Sequence, residues 1–202
     1  MRSISFLSAS ALLAPAIAIP YDEYILAPRS RTLHPISVHN TNGSVSNPES
    51  LTTSNGSSTF DGYAATSYDF GINIAGVVSL EIGSVSDSSQ YIGVTFSESS
   101  LWVSNASSDA TADAGKDETL WFHVTEPGRY TAPREKERGG FRYMTLVHNS
   151  TSGKVEVTSA EVHYTAMPHW EDDALANYTG YFHCDGKSRK PILTLDYTAD
   201  FV

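Results

Sequence analysis

The sequence predicts an all-β fold, an antiparallel β-sandwich of the jelly-roll type with a low-complexity N-terminal leader and an irregular C-terminal tail. Three observations lead to this prediction. Apolar residues alternate with polar ones in several short segments, clusters of Gly, Pro and Asn separate those segments, and no stretch shows the 3.6-residue apolar repeat of an amphipathic helix. With 202 residues, of which 11% are aromatic, the chain can build one domain around a hydrophobic core.

The longest alternation runs from Tyr68 to Ile82, with apolar side chains at the even positions and Val77 as the exception. Period-two alternation is typical of a strand with one buried face. Because strands usually span about 5–6 residues, we place a bend or bulge at Asn73 and Gly76, between two strands. The even-numbered face of this segment is predicted to be buried.

Shorter alternations predict the remaining strands, over residues 92–97, 120–124, 141–147, 155–157 and 162–164. In the segment 141–147, Phe141, Tyr143, Thr145 and Val147 alternate with Arg142, Met144 and Leu146, and we expect Phe141 and Tyr143 to point inward. Arg142 then lies on the opposite face, where it forms an ion pair with an acid or stacks on a ring. The polar stretch 104–118 contains no apolar residue larger than Ala and is predicted to be a long surface loop.

The first 18 residues have the composition of a secretory signal peptide. A positively charged start precedes an apolar run over residues 4–13 and the cleavage pattern Ala16-Ile17-Ala18. A membrane anchor is the alternative, but the run is shorter than the roughly 20 apolar residues that a spanning helix needs. We therefore predict a secreted protein with no membrane association after cleavage of residues 1–18.

Composition excludes one class of partner and supports secretion. The formal net charge is −10, from 23 acidic and 13 basic residues. Nucleic acid is therefore not an expected partner, because phosphate backbones bind basic surfaces. The 28 Ser and 18 Thr give a surface that is polar without being strongly charged. Five N-x-[ST] sequons are predicted N-glycosylation sites on exposed loops, namely Asn42, Asn55, Asn105, Asn149 and Asn177.

No catalytic constellation is visible in the sequence. There is no G-x-S-x-G or H-E-x-x-H motif, the seven His are scattered, and most carboxylates lie in loop-like stretches. We predict no catalytic residue, no metal ion and no cofactor. The candidate sugar contacts are Trp102 and Trp121, with Glu98, because an exposed indole beside polar groups can pack against the apolar face of a sugar. Packing in the core or at a domain interface is the alternative for both tryptophans.

Four short motifs follow one another between residues 66 and 185. They are Asp69-Phe70-Gly71-x-Asn73-x-x-Gly76, then Gly93-Val94-Thr95-Phe96-x-Glu98 with Leu101, then Tyr130-x-x-Pro133 with Gly140-Phe141-Arg142-Tyr143, and finally Gly180-Tyr181-Phe182-His183-Cys184-Asp185. In this order they resemble the α-L-rhamnosidases of glycoside hydrolase family 78, in particular fungal members. The resemblance implies an all-β accessory domain that precedes an (α/α)6 barrel, with the inverting catalytic carboxylates on the barrel.

The resemblance also suggests a division of the chain. Residues 19–66 are a partly disordered leader or linker, since residues 40–59 are almost entirely Ser, Thr, Asn, Gly and Pro. The sandwich spans residues 67–168, and residues 169–185 connect it to a catalytic barrel that is missing. Residues 186–202 depart from the family pattern, and we interpret them as translated intron. The lone Cys184 is then unpaired because its partner was lost; a free thiol or an external partner are the alternatives.

Two functions follow as hypotheses. The first is the non-catalytic β-sandwich portion of a secreted rhamnosidase-like glycoside hydrolase, which braces the barrel in the intact enzyme and has no activity by itself. The second is a stand-alone, lectin-like carbohydrate-binding module. In both, the expected partner is carbohydrate, in particular rhamnose-containing glycosides.

Overall fold

The computed structural model describes residues 25–53, 56–110, 117–172 and 174–177. The signal peptide, Asn55, Cys184 and the tail 186–202 lie outside these residues. The chain divides into two compact units, one of residues 28–175 and one of residues 1–27 with 176–202. All strands named below lie in the first unit, and of the second only residues 25–27 and 176–177 are described.

The described residues form eight antiparallel strands, and the all-β, antiparallel fold predicted from the sequence is confirmed. They are β1 (Thr32–Leu33), β2 (Ser37–Ser46), β3 (Ser58–Val85), β4 (Gln90–Ser97), β5 (Leu120–Val124), β6 (Gly128–Thr131), β7 (Arg138–His148) and β8 (Lys154–Tyr164). Helical structure among the described residues is limited to short 3-10 turns, at Pro48–Thr52, Ser100–Trp102, Ser108–Ala110, Arg134–Lys136 and Leu175–Asn177. Within the described part of the chain, no helix is long and apolar enough to cross a membrane.

The 28-residue strand β3 organises the sheet. Its first half pairs with β2 and β7, and β7 continues through β4 to β5. Its second half pairs with β8 and β6, and β1 adds to the far side of β8. One chain segment therefore belongs to both halves of the structure, and the two halves enclose a single hydrophobic core.

The bend predicted within β3 is confirmed. Pairing with β7 is regular up to Asp69 and then shifts before Ile74 and again before Gly76. Gly71 has a φ of 78°, in the left-handed region that glycine adopts without steric cost. The even-numbered face is buried at Tyr68, Phe70, Ile74, Val78, Leu80 and Ile82, whereas Ile72, in the bulge, is 42% exposed.

Of the two β7 residues expected to point inward, Phe141 belongs to the core cluster and Tyr143 does not. Phe141, Met144 and Leu146 belong to the core. Met144 lies opposite Phe96 on β4, and Leu146 lies opposite Val94. Tyr143, Thr145 and Val147 lie on the other face of the sheet and are nevertheless buried. The alternation in β7 was ambiguous because large side chains occupy both of its faces. The register shifts between β3 and β7 also change which β7 residues point inward.

The sheet also begins earlier than expected. The sequence placed the first strand at Tyr68 and a leader over residues 19–66, but β1, β2 and the first part of β3 occupy much of that segment. Strand β2 is an edge strand whose side chains are nearly all exposed. Its residues are polar or Gly apart from Val38 and Val45, which are half-buried against the core, so it shows none of the alternation that marks a strand in sequence.

Candidate functional site

The outer face of the five-stranded half of the sheet carries a row of residues in register. Trp121 on β5 lies opposite Gly93 on β4, and Gly93 lies opposite Val147 on β7. Val147 pairs with Ala65 on β3, which pairs with Asn42 on β2. Directly opposed residues share a face of the sheet, and adjacent strands are about 4.8 Å apart. The row therefore places an indole and an amide at opposite ends of a floor of smaller side chains.

A second row runs beside the first. Thr95, Thr145, Ser67 and Asn40 are opposed in the same way across β4, β7, β3 and β2. The hydroxyls of Ser67 and Thr145 are 2.8 Å apart and hydrogen-bond to each other. Together the two rows form the floor of a groove, with cavity volumes of about 580 Å³ and 390 Å³ in its two adjoining parts, which share Asn42, Ala65 and Asn105.

The position of the Trp121 indole requires a residue without a side chain at position 93. A Cβ atom at Gly93 would lie 2.7 Å from Cζ3 of the indole, which is closer than two carbon atoms can approach. The ring therefore rests against the β4 backbone, yet 42% of the residue remains exposed. Tyr63, which also lines the groove, is 62% exposed. Fixed aromatic rings of this kind offer apolar area at low entropic cost.

The described parts of the predicted loop, residues 104–110 and 117–118, contribute one wall of the groove. The hydroxyl of Thr119 donates to the Ala106 carbonyl (2.9 Å), and the amide of Ser108 donates to the Asp117 carbonyl (2.8 Å). Arg138 on β7 bonds to Asp109 at 2.9 Å and to Asp117 at 3.3 Å. These contacts fix the wall to the sheet beneath it.

The polar groups in the groove are mostly neutral. They are the amides of Asn40, Asn42, Asn105 and Asn149 with hydroxyls of Ser and Thr, and Glu118 adds a carboxylate. An amide both donates and accepts hydrogen bonds, as a sugar hydroxyl does. Neutral donors and acceptors beside an apolar ring suit an uncharged, polyhydroxylated ligand better than an ionic one.

A buried histidine, His148, lies at one end of the groove and belongs to its lining. His148 Nδ1 is 2.7 Å from the Gly62 carbonyl, and its Nε2 is 2.8 Å from the Gln90 side-chain oxygen. Burial disfavours the charged imidazolium more strongly than the hydrogen bond to the Gly62 carbonyl favours it, and it therefore lowers the pKa of His148. His148 therefore holds the groove end in place as a largely neutral, structural side chain.

Of the three predicted sugar contacts, the structure places one in the groove. Trp121 lines it. Trp102 is 58% exposed in the turn Ser100–Trp102, and it is not among the described lining residues. Glu98 is exposed at the end of β4, beside Gly140, and its backbone amide donates to Asp109. Sequence reasoning missed Tyr63 and the asparagines of β2, whose position depends on the register of a strand that was not predicted.

The motif residues around Asp69 form a separate, structural cluster. Arg142 donates to both carboxylate oxygens of Asp69 at 2.8 Å, and the Gly71 amide donates to Oδ1 at 2.6 Å. The hydrogen bonds from Arg142 hold the pKa of Asp69 below its usual value. The guanidinium also lies 5.4 Å from the centre of the Tyr143 ring. The ion pair and the ring contact expected for Arg142 are both present.

The other motif residues are positioned by packing. A Cβ at Gly76 would lie 2.1 Å from the His163 carbonyl, and one at Gly140 would lie 2.8 Å from the Glu98 carboxylate. Phe141 is fully buried, and its ring meets that of Phe70 edge-on at 5.9 Å. Pro133 precedes the turn Arg134–Lys136 and accepts the Lys136 amide at 2.8 Å. Asn73 is exposed in the β3 bulge.

Three of the predicted glycosylation sites fall in the groove. Asn42, Asn105 and Asn149 are all exposed and all line it, but Asn42 lies within strand β2 and not on a loop as predicted. Asn177 lies in the turn Leu175–Asn177. No group of three or more potential metal ligands occurs within the ranges that the structure describes.

Comparisons with known proteins give similarity in structure only. No protein-family profile matches the chain, and no curated protein matches it in sequence. A rhamnosidase from Klebsiella oxytoca with rhamnose bound is similar with a TM-score of 0.45 and 17% identity, over 71% of this chain and 30% of that chain. A GH78 family rhamnosidase of Bacillus sp. GL1 is similar with a TM-score of 0.40 and 17% identity, over 58% and 12%.

A Streptococcus pneumoniae fucose binding module is similar with a TM-score of 0.41 and 13% identity, over 65% of this chain and 95% of that module. These identities and TM-scores are low, so the similarities assign no function to the chain. The chain spans less than a third of either rhamnosidase.

Proposed function

We propose that this chain is a non-catalytic, carbohydrate-binding β-sandwich of a secreted protein, and that sugar binds in the groove floored by Ala65 and Val147. The observation that carries the proposal is the Trp121 indole, fixed against Gly93 at the edge of a floor of small residues. A pyranose ring has an apolar face of C–H groups and an equatorial ring of hydroxyls. The indole packs against the first, and the asparagine amides bond to the second.

The ligand class that we favour is a 6-deoxyhexose, with rhamnose-containing glycosides first. Ala65 and Val147 give the floor of the groove two apolar side chains next to the indole. The methyl group of a deoxysugar can bury against such a floor, whereas a C6 hydroxyl there loses hydrogen bonds to water. L-rhamnose should therefore bind more tightly than L-mannose, which differs from it by that hydroxyl.

The test is calorimetry or NMR titration with rhamnosides and with the matching mannosides, on protein that carries no glycans. The groove is open and has one fixed indole, so we expect a Kd of about 1 mM, or −4.1 kcal/mol. Trp121→Ala should weaken binding at least about tenfold, equivalent to 1.4 kcal/mol. Trp102→Ala is the matched control, because that indole is exposed outside the described groove lining and its loss should change nothing. Equal losses for both variants, or no binding by the parent, would refute the proposal.

A second candidate function is a brace for a catalytic barrel, in a larger rhamnosidase-like enzyme. The observation that favours it is the rigid path of the chain beyond β8. Arg31, 7% exposed, donates to the carbonyls of Tyr164, Ala166, Met167 and Trp170 and to the carboxylate of Asp172. A side chain that satisfies four carbonyls fixes the direction of the segment that follows the sheet, which is what a brace requires.

Two measurements test the brace. The chain by itself should release no rhamnose from an aryl rhamnoside above a buffer blank, and release would contradict a non-catalytic role. The genomic sequence downstream of codon 185 should encode, after removal of an intron, the helices of an (α/α)6 barrel. A downstream region with no such reading frame would leave carbohydrate binding as the surviving proposal.

A further inference from the structure

The sequons and the groove coincide on one face of the molecule. Asn42 ends the row that begins at Trp121, and it lines both parts of the groove. Asn105 lies on the wall that the loop contributes, and it also lines both parts of the groove. Asn149 directly follows the end of β7 and lines the larger part. All three side chains are exposed, as acceptors for an oligosaccharide must be.

A glycan attached to any of these asparagines starts inside the groove. Its first sugar is bonded to an amide nitrogen that already belongs to the lining, so its apolar ring face lies within reach of the same floor. A covalently tethered ligand is present at a high effective concentration, of the order of millimolar for a short flexible link. That concentration is comparable to the Kd of about 1 mM expected for free sugar in this groove.

From this coincidence we propose that N-glycans on Asn42, Asn105 and Asn149 lie in the groove against Trp121 and close it to external sugar. Binding of free carbohydrate then belongs to the form of the protein that lacks these glycans, and glycosylation controls access to the site. The inference rests on the proposed function in that both assign sugar recognition to the same groove.

The first experiment removes the glycans and keeps the asparagine amides. Ser44→Ala, Ser107→Ala and Thr151→Ala abolish the three sequons while Asn42, Asn105 and Asn149 remain in the lining. The protein is produced in a eukaryotic secretory host, mass spectrometry measures occupancy at each site, and titration with a rhamnoside measures the Kd. Because tethered sugar at an effective concentration about equal to the Kd raises the apparent Kd about twofold for one glycan and about fourfold for three, the triple variant should bind about two- to fourfold more tightly than the glycosylated parent. Ser57→Ala, which removes the sequon at Asn55, is the matched control and should leave the Kd unchanged.

A second arm covers a variant that fails to fold. The glycosylated parent, kept native, is trimmed with an endoglycosidase, and its rhamnoside Kd is compared before and after trimming. Binding that strengthens on trimming supports the proposal. Unoccupied sites at all three asparagines, or an unchanged Kd in both arms, overturn it.

A third arm separates this inference from the proposed function. In the glycosylated protein, the N-acetyl methyl protons of a glycan that lies against an indole are shifted by its ring current. Those shifts should disappear in Trp121→Ala and persist in Trp102→Ala. If they are seen and no external sugar binds even after trimming, the groove holds its own glycan and the proposed function fails. If external sugar binds and the shifts are absent with all sites occupied, the proposed function survives and this inference fails.

Discussion

Gly76 on β3 and Gly139 on β7 differ completely in their surroundings. A Cβ on Gly76 would lie 2.1 Å from the His163 carbonyl of the neighbouring strand, whereas one on Gly139 has nothing within 4 Å. Gly76→Ala should therefore force β3 and β8 apart and lower the free energy of unfolding by at least about 2 kcal/mol. Gly139→Ala should be neutral or stabilise by up to about 1 kcal/mol, because it restricts the unfolded chain. Urea denaturation of the two variants measures both changes, and similar effects would show that β3 and β8 do not approach as closely as described.

The ion pair between Asp69 and Arg142 makes a second residue-scale prediction. The Arg142 side chain is 40% exposed, so solvent screens the pair, and Arg142→Met should lower the free energy of unfolding by only about 1 kcal/mol. The pKa of Asp69 lies below its ordinary value of 3.8. Its contribution is therefore present above pH 3.8 and is lost as the pH falls through the folded-state pKa.

The measurement compares urea denaturation of parent and Arg142→Met at about pH 7 and about pH 2. The difference between the two proteins should shrink at the lower pH. Arg129→Met serves as the comparison, since Arg129 pairs with Glu161 and its own side chain is 54% exposed, more than that of Arg142. An Arg142→Met deficit that stays constant with pH would show that lost packing, and not the ion pair, causes it.

At the scale of elements, the register of β3 predicts opposite results for two neighbouring apolar residues. Phe70 is buried and meets Phe141 edge-on, whereas Ile72 sits in the bulge and is largely exposed. Phe70→Ala should lower the free energy of unfolding by about 3–5 kcal/mol, and Ile72→Ala should lower it by less than about 1 kcal/mol. Thermal or urea denaturation of the two variants measures both changes in stability. A Phe70→Ala protein as stable as its parent would contradict the assigned face of β3.

Strands β4 and β7 are joined by a side-chain bond that should make stability depend on pH. His148 bonds to Gln90 across the two strands, Gln90 bonds to Asp87 at 2.7 Å, and Asp61, which pairs with Lys154, lies near enough to favour the cation. Burial outweighs these carboxylates and lowers the pKa of His148 from 6.5. The unfolded chain then binds the proton more tightly, so stability is complete above pH 6.5 and falls as the pH drops towards the folded-state pKa.

Replacing His148 with Gln removes that proton and keeps the capacity for hydrogen bonds. The loss of stability between about pH 7 and about pH 5 should therefore be smaller in His148→Gln than in the parent. His163→Gln is the matched control, because His163 lies exposed on β8, away from the contact between β4 and β7. Identical pH profiles for parent and His148→Gln would contradict the role assigned to burial.

The elements differ in how well the sequence predicts them, and the reason is burial. β5 and the part of β3 from Tyr68 to Ile82 bury mainly one face, and β4 carries large apolar residues on one face and small or polar ones on the other, so the alternation of these segments marked both the strand and its inner side. β7 is buried on both faces, so the strand was predicted but its inner side was not. β2 has no fully buried residue, and its run of Ser, Asn and Thr read as a linker. A pattern of hydrophobicity reports contrast between two faces, and it fails where there is none.

At the scale of the whole molecule, the groove is formed by residues from five strands, and no single segment contains it. Trp121 was predicted as a sugar contact from its residue type. Its partners Gly93, Val147, Ala65 and Asn42 come from four other strands and meet it only through the register of the sheet. A shift of one residue in any pairing would replace the row by its neighbours on the opposite face. The sequence could therefore supply the aromatic residue, but not the floor or the far end.

The last prediction concerns the C-terminal tail, residues 186–202, and whether the stability of the fold depends on it. The described core cluster runs from Leu51 to Val162, and the strands lie within the compact unit of residues 28–175. Residues 186–202 have a cluster of Lys187, Arg189 and Lys190 followed by Pro191, which favours neither a strand nor a helix. Deleting them should change the free energy of unfolding by less than about 1 kcal/mol and the Tm by no more than about 2–4 °C. Calorimetry of the deleted and full chains makes the comparison, with Phe70→Ala as a reference for real damage to the core. A fall in Tm as large as that of Phe70→Ala would show that the tail belongs to the fold and would refute its interpretation as translated intron.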